Sequence, residues 1–379
     1  MKAGPVIGLV VLLTLIVLGA RREEARGTFA AVEGPFLSWL AANAGTPAAV
    51  PPLILVLYDE EASELAGANR MAMLDAALFV RAASSLGAVA AGVEGLQEEP
   101  RRMLEAGRGM PVFGGYAPEN PPGSGWTALR GEPPATWPEM TGLVGRPAAF
   151  VRGFLAPPEG TDGGPQEMLL VGRNAERAVP SFLVLAWSAS QGWRARDLTV
   201  APGRINGPHG NLIVDSGGAA CFLPGAAIST MTMNDLLVAA EKHEREGGKS
   251  PMEGNVLVLA RATPDVARVA REGTPPLTPV EWWAQSWTAV RDGLLFIQPG
   301  WWFNPLLVFS SLLLAVSPAA RTNRTALVAL FFALLLFLLA ALGLFAGGRV
   351  YLPAGPVVIA LVAGIFVGRL GRVVGWLGR

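Results

Sequence analysis

Acidic side chains that directly follow short apolar runs are the residues of this chain best placed to do chemistry. Asp59 and Glu60 close the run LILVLY, and Glu94 closes AVAAGV. In an open parallel sheet, ligands sit outside the carboxyl ends of the strands, so these three acids share one edge if the two strands are neighbours. Asp215, beside a Gly pair, and Asp265, after NVLVLARATP, are placed to join them. Such a set would bind a cation or a polar ligand. The same residues also have an ordinary structural use. Asp59 and Glu60 stand where acids stabilise a following helix N-terminus, and Asp215 suits a turn.

Other chemistries find little material. The single cysteine, Cys221, excludes an intramolecular disulfide and any multi-cysteine metal site. Of the two histidines, His209 lies in a Gly-Pro-His-Gly turn and His243 in the charged segment EKHERE. A His-based metal site or a Ser-His-Asp triad would have to run through one of them. No phosphate-binding loop, nucleophile elbow, HExxH or EF-hand pattern occurs. No catalytic residue, metal ion or cofactor is therefore expected.

Two further groups have the residue types for partner or lipid contact. Trp282, Trp283, Trp287, Trp301 and Trp302 cluster before an apolar run, and Trp283 and Trp287 share a helix face at i, i+4. That face either docks a partner or lipid, or packs the domain onto its own membrane collar. Ala360, Gly364 and Gly368 repeat at four-residue spacing, a seam of small residues that lets helices approach closely. It joins either a second protein or the chain's own neighbouring spans.

The elements that position these residues read as alternating strands and helices. LILVLY at 53–58, a helical pattern over 71–86 ended by Gly87, and AVAAGV at 88–93 form a βαβ unit. Residues 97–106 predict a helix and 110–113 a third strand. From 116 to 165 the Pro- and Gly-rich sequence predicts loops with short antiparallel strands at 148–155 and 167–171. Helices are expected over 180–190, 233–243 and 280–291, hairpin strands with turns at Asn206-Gly207 and Ser216-Gly217-Gly218 over 203–223, and a buried strand over 255–260. The fold class expected is an α/β domain with a mixed sheet.

At both ends the composition changes. The chain is 51% hydrophobic but only 16% charged, against roughly 25% in ordinary soluble domains. The apolar excess lies in residues 5–18 and in 303–320, 325–346 and 352–368, each near the length that crosses a bilayer. Four transmembrane helices are expected, one N-terminal and three C-terminal. The organisation is a signal anchor over 1–22, an extracytoplasmic domain over 23–300, a three-helix membrane region over 301–368 and a short basic cytoplasmic tail over 369–379. Lys2, Arg321, Arg324, Arg369, Arg372 and Arg379 would lie inside, against Arg21, Arg22, Arg26, Arg291 and Arg349 outside. A balance of 30 basic and 30 acidic residues speaks against nucleic-acid binding, which needs a concentrated basic surface.

In order, the segments LILVLYDEEASELAG, RAASSLGAVAAGVEG, VPSFLVLAWSASQG, LIVDSGGAACFLPG, GNVLVLARATPD and PVEWWAQSWTAVRDG, with one span before and three after, resemble the type-two CHASE extracellular sensor domains of bacterial signalling proteins. The resemblance covers nearly the whole chain. It implies a domain outside the cytoplasmic membrane that senses a ligand, with an output domain attached after the last span. The sequence stops at Arg379, soon after the fourth expected span, and no output domain in cis is expected. In the last helix the family's glycine and histidine are replaced by Pro279-Val280-Glu281-Trp282-Trp283-Ala284.

The function expected is that of a non-enzymatic multi-pass protein of the inner membrane. It would bind lipid, carry a periplasmic sensor-like domain, and act through another integral membrane protein. The alternative is an accessory subunit of a larger envelope complex that binds no small ligand.

Overall fold

The computed structural model describes residues 3–44, 50–58, 73–95, 101–116, 118, 121–122, 125–145, 150–155, 159–160, 165–223, 228–261, 269–271, 274–277, 279–317 and 322–374. Its helices are α1 (Ala3–Ala25), α2 (Ala30–Asn43), α3 (Met73–Ser85), α4 (Arg101–Ala106), α5 (Phe182–Ser190), α6 (Met233–Glu246), α7 (Pro279–Arg291), α8 (Phe303–Val316), α9 (Asn323–Gly348) and α10 (Ala354–Val373). The chain divides into two compact units. A helical unit comprises Met1–Thr46, Gly160–Gln166 and Phe296–Arg379, and a sheet unit comprises Pro47–Glu159 and Glu167–Leu295.

Six strands make the main sheet of the second unit: β1 (Leu53–Tyr58), β2 (Ala90–Glu94), β3 (Val112–Tyr116), β4 (Val151–Phe154), β5 (Ser229–Thr232) and β6 (Val256–Arg261). Their order is β5-β1-β6-β2-β3-β4, and each neighbouring pair is parallel. The mixed sheet expected from the sequence is thus a wholly parallel one, accompanied by separate small antiparallel sheets. Among these, Thr199–Ala201, Arg204–Gly207 and Gly210–Ile213 form a meander, and Val171–Asn174 pairs with Arg177–Pro180. β4, expected in an antiparallel pair, runs parallel to β3 with Val151 opposite Phe113. The long connection between them supplies the crossover that a parallel pair requires.

Burial on both faces explains the continuous apolar runs. Leu55 of β1 enters one core while Val56 and Tyr58 enter the other; in β6, Val256, Val258 and Ala260 alternate with Leu257 and Leu259. A strand covered on both sides must be apolar at consecutive positions. Helices α3 and α6 contribute Phe79, Val80 and Leu236 to one core, and α5 and α7 contribute Phe182, Trp283 and Trp287 to the other. Gly92 and Gly115 admit the Phe182 ring against the sheet, since a Cβ at either would stand 2.7 or 2.8 Å from it. In the meander the two loop residues are Pro208 and His209, between paired Gly207 and Gly210, and the turn expected at Asn206-Gly207 falls two residues later.

In the helical unit, Leu9 and Leu13 of α1 pack with Val367 of α10, beside Val308 and Leu312 of α8. Ser311 of α8 donates a 2.7 Å hydrogen bond to the Ala360 carbonyl of α10. The Arg21 guanidinium near the end of α1 lies 5.4 Å from the Phe303 ring centroid at the start of α8. Ile297 pairs with Val350, just beyond α9. These contacts place the end of α1, the start of α8, the end of α9 and the start of α10 together.

Among the described residues, two helices are long and apolar enough to cross a membrane, α9 with 26 residues and α10 with 20. This corrects the expectation of four spans. α8 has only 14 residues, ending before Pro318, which has no backbone N–H to continue it. α1 has 23 residues, but its last turns carry Arg21, Arg22, Glu23 and Glu24.

α2 has no counterpart in the expected elements. Its Glu33 is buried and reaches the first turn of α10, where Oε2 accepts from the Ala354 N–H at 3.1 Å and Oε1 from the Gly355 N–H at 2.7 Å. Burial pushes the Glu33 carboxyl up, against the lowering effect of these two N–H groups and of Arg21. Pro353, at the N-cap of α10, offers no side-chain acceptor, so a carboxylate from another helix fills that role.

Candidate functional site

Of the five acids expected to line the sheet edge, Asp59, Glu60 and Asp265 lie outside the described residues. Glu94 does end β2, opposite Gly115 of β3. The arrangement that would set it beside β1 is absent, because β6 runs between β1 and β2. Asp215 is not at the carboxyl end of the main sheet. It organises a turn, its Oδ1 accepting from the N–H of Gly217 at 2.8 Å and of Ala219 at 2.9 Å. Its turn use is the one realised. Replacing Asp215 by alanine is expected to cost about 1 kcal/mol by removing both bonds, measured as a lower urea midpoint with unchanged slope.

The surfaces expected to meet partners are occupied within the chain. Trp283 and Trp287 are each 1% exposed and belong to the core of the sheet unit. Trp283 packs 4.7 Å from Phe182, and the Trp287 indole N–H donates to the Pro51 carbonyl at 3.0 Å. Their i, i+4 face is therefore not a docking face: large aromatic rings next to a sheet remove more apolar area from water than any exposed position would. Ala360, Gly364 and Gly368 are likewise covered, by α8. A Cβ at Gly364 would stand 2.4 Å from the Ser311 carbonyl oxygen, and one at Gly368 2.3 Å from that of Ala315. The seam joins two helices of one chain and is closed to a second protein.

A cluster that the acid pattern does not reveal lies at the carboxyl end of β3. Tyr116, the last residue of β3, packs edge-on to Trp126 with ring centroids 6.3 Å apart. Arg152 of β4 places its guanidinium over the Phe150 ring, 5.1 Å from the centroid, and its charge favours the ionised form of the Tyr116 phenol. Gly114 is opposite Arg152 in the register, and a Cβ there would stand 2.7 Å from Phe150 Cζ and 2.9 Å from Tyr116 Cε2. The missing side chain lets both rings close in. Thr127 anchors the strand: its Oγ1 accepts from the Arg152 N–H at 2.8 Å, and its own N–H donates to the Arg152 carbonyl at 3.1 Å. The legible signal was a lone charge inside the apolar stretch AAFVRGFLA.

Two phenols on this face of the sheet have raised pKa values. Tyr58 is pushed up to about 12, first by burial and then by its hydrogen bond to Asp75 and the charge of that carboxylate. Tyr116 is raised by burial, against the lowering effect of Arg152. A phenol that ionises later in the folded than in the unfolded chain carries stability that is complete below about pH 10 and lost as the pH rises through the folded pKa. The chain has three tyrosines, Tyr58, Tyr116 and Tyr351. Ultraviolet titration should leave at least one phenol un-ionised at about pH 11 in the folded protein, and none in denaturant. Complete ionisation of the folded protein by about pH 10 would contradict this environment.

Comparison with known protein families, with curated proteins and with solved structures returns no match.

Proposed function

We propose that the chain is a non-enzymatic integral membrane protein of the inner membrane. Its sheet unit stands on the periplasmic side, binds a ligand, and acts through another membrane protein. The observation that carries this reading is α9. Along its 26 residues it presents Leu327, Phe331 and Leu336 at 64 to 67% exposure, with Phe332 and Leu339 also exposed. A helix apolar on all sides and left uncovered by its own chain is suited to lipid or to a membrane partner, and not to water.

In this reading α9 and α10 are the helices that cross the bilayer. Trp301 and Trp302, exposed immediately before α8, suit the lipid headgroup level. The sensor role draws on the ordered resemblance to type-two CHASE domains, and on the parallel sheet, whose carboxyl edge is a usual place for a ligand. A ligand preferring one arrangement would shift the packing of the spans by its differential affinity.

The test is gentle solubilisation followed by identification of co-purifying proteins and a small-molecule stability screen. The sensor reading predicts a small molecule that stabilises the purified protein, together with a partner recovered from membranes by cross-linking. A stoichiometric partner with no small-molecule response would favour the accessory-subunit reading.

A further inference from the structure

We propose that Arg152 is the anion receptor of a ligand site on the sheet unit, and that the ligand is a monocarboxylate with a small apolar body. The inference rests on the reading of the sheet unit as a ligand-binding domain and names the chemistry of its site. Arg152 is 8% exposed, and among the described residues no carboxylate pairs with it. The guanidinium lies over the ring of Phe150, 5.1 Å from its centroid. That ring carries no formal negative charge.

A cation taken out of water without a counter-charge is unfavourable, and an aromatic face offsets only part of that cost. A bound anion would supply the rest. The guanidinium presents its N–H donors as a planar fork that matches the two oxygens of a carboxylate. One fixed cation balances a monoanion, whereas a phosphate dianion calls for more than one. Tyr116, Trp126 and Phe150 supply the apolar surroundings for the rest of the ligand, and all three are buried. Tyr116 ends β3, at the edge where parallel sheets bind ligands, and Arg152 stands two residues short of that edge, opposite Gly114.

The test uses the full-length protein in detergent, with benzoate, phenylacetate and hexanoate as probes and benzyl alcohol and inorganic phosphate as controls. The apparent unfolding midpoint is followed by tryptophan fluorescence for the wild type and for Arg152→Met. At least one carboxylate should raise the wild-type midpoint by about 5 °C at one hundred times its dissociation constant, with no effect from benzyl alcohol or phosphate. Arg152→Met should abolish that rise, while its ligand-free midpoint stays level or increases, because an unpaired buried charge has been removed.

No response of the wild type to any of the three carboxylates would overturn the proposal. So would an equal response in Arg152→Met, a response to phosphate alone, or a lower ligand-free midpoint in the variant, which would mark Arg152 as structural. Each outcome turns on Arg152, a residue of the sheet unit, and not on where the helices lie. Failure here therefore leaves the membrane reading standing, and failure of the membrane reading leaves carboxylate binding measurable.

Discussion

Gly364→Ile is expected to destabilise the helical unit by about 3 kcal/mol or more, whereas Gly343→Ile on α9 should be nearly neutral. The contrast comes from what each new side chain would meet. At Gly364 even a Cβ would stand 2.4 Å from the Ser311 carbonyl oxygen and 2.9 Å from Ser311 Cα, both backbone atoms that cannot rotate away. At Gly343 nothing lies within 4 Å. To admit isoleucine, α8 and α10 must separate. The separation breaks the 2.7 Å bond from the Ser311 hydroxyl to the Ala360 carbonyl and opens the contact of Gly368 with Ala315. Gly368→Ile should behave like Gly364→Ile. Unfolding by titration from mild detergent into dodecyl sulfate measures the difference, and equal midpoints for Gly364→Ile and Gly343→Ile would contradict the seam.

Glu33→Ala is expected to cost about 2 kcal/mol, the second-largest effect. Two opposing terms set that figure. Removing the carboxylate leaves the N–H groups of Ala354 and Gly355 without an acceptor in a buried place, at about 1–3 kcal/mol each. It also removes a charge whose burial is itself unfavourable, which returns part of the loss. Glu33→Gln keeps one oxygen acceptor and should cost about half as much as alanine. The same detergent titration orders the three proteins as wild type, glutamine, alanine. An alanine variant as stable as the wild type would show that the start of α10 does not depend on this cap.

Much of the sheet unit was legible because its signals are local. The apolar runs at β1, β2 and β6 and the helical stripe ending at Gly87 correspond to Leu53–Tyr58, Ala90–Glu94, Val256–Arg261 and Met73–Ser85. Strand order was not legible, since β6 comes from far along the chain to pair with Leu53–Tyr58 on one side and Ala90–Glu94 on the other. An inference about which acids meet fails once such a strand intervenes. Helical spacing showed that Trp283 and Trp287 share a face, but a shared face can look inward as readily as outward, and here it looks into the core. The same limit applied to Ala360, Gly364 and Gly368. Small residues announce a close approach without saying which helix makes it.

Glu33 and Arg152 were missed for one reason. Each is a single charge in an apolar stretch, in FAAVEGPFL and AAFVRGFLA, where attention goes to the apolar pattern. A lone charge that folding buries has to be engaged by something. For Glu33 it is a helix start within the chain. For Arg152 the described surroundings are aromatic rings and a phenol, and the ligand proposal follows from that difference.

The measurement that bears most directly on the central claim is the accessibility of the sheet unit in intact bacterial cells. Lys249 is exposed and the native Cys221 is buried, so Lys249→Cys offers one reactive thiol to a membrane-impermeant reagent. A membrane protein with its sheet unit outside the cytoplasmic membrane predicts full labelling of that thiol once the outer barrier is permeabilised, with no further gain on lysis. Labelling that occurs only after the inner membrane is broken would contradict it.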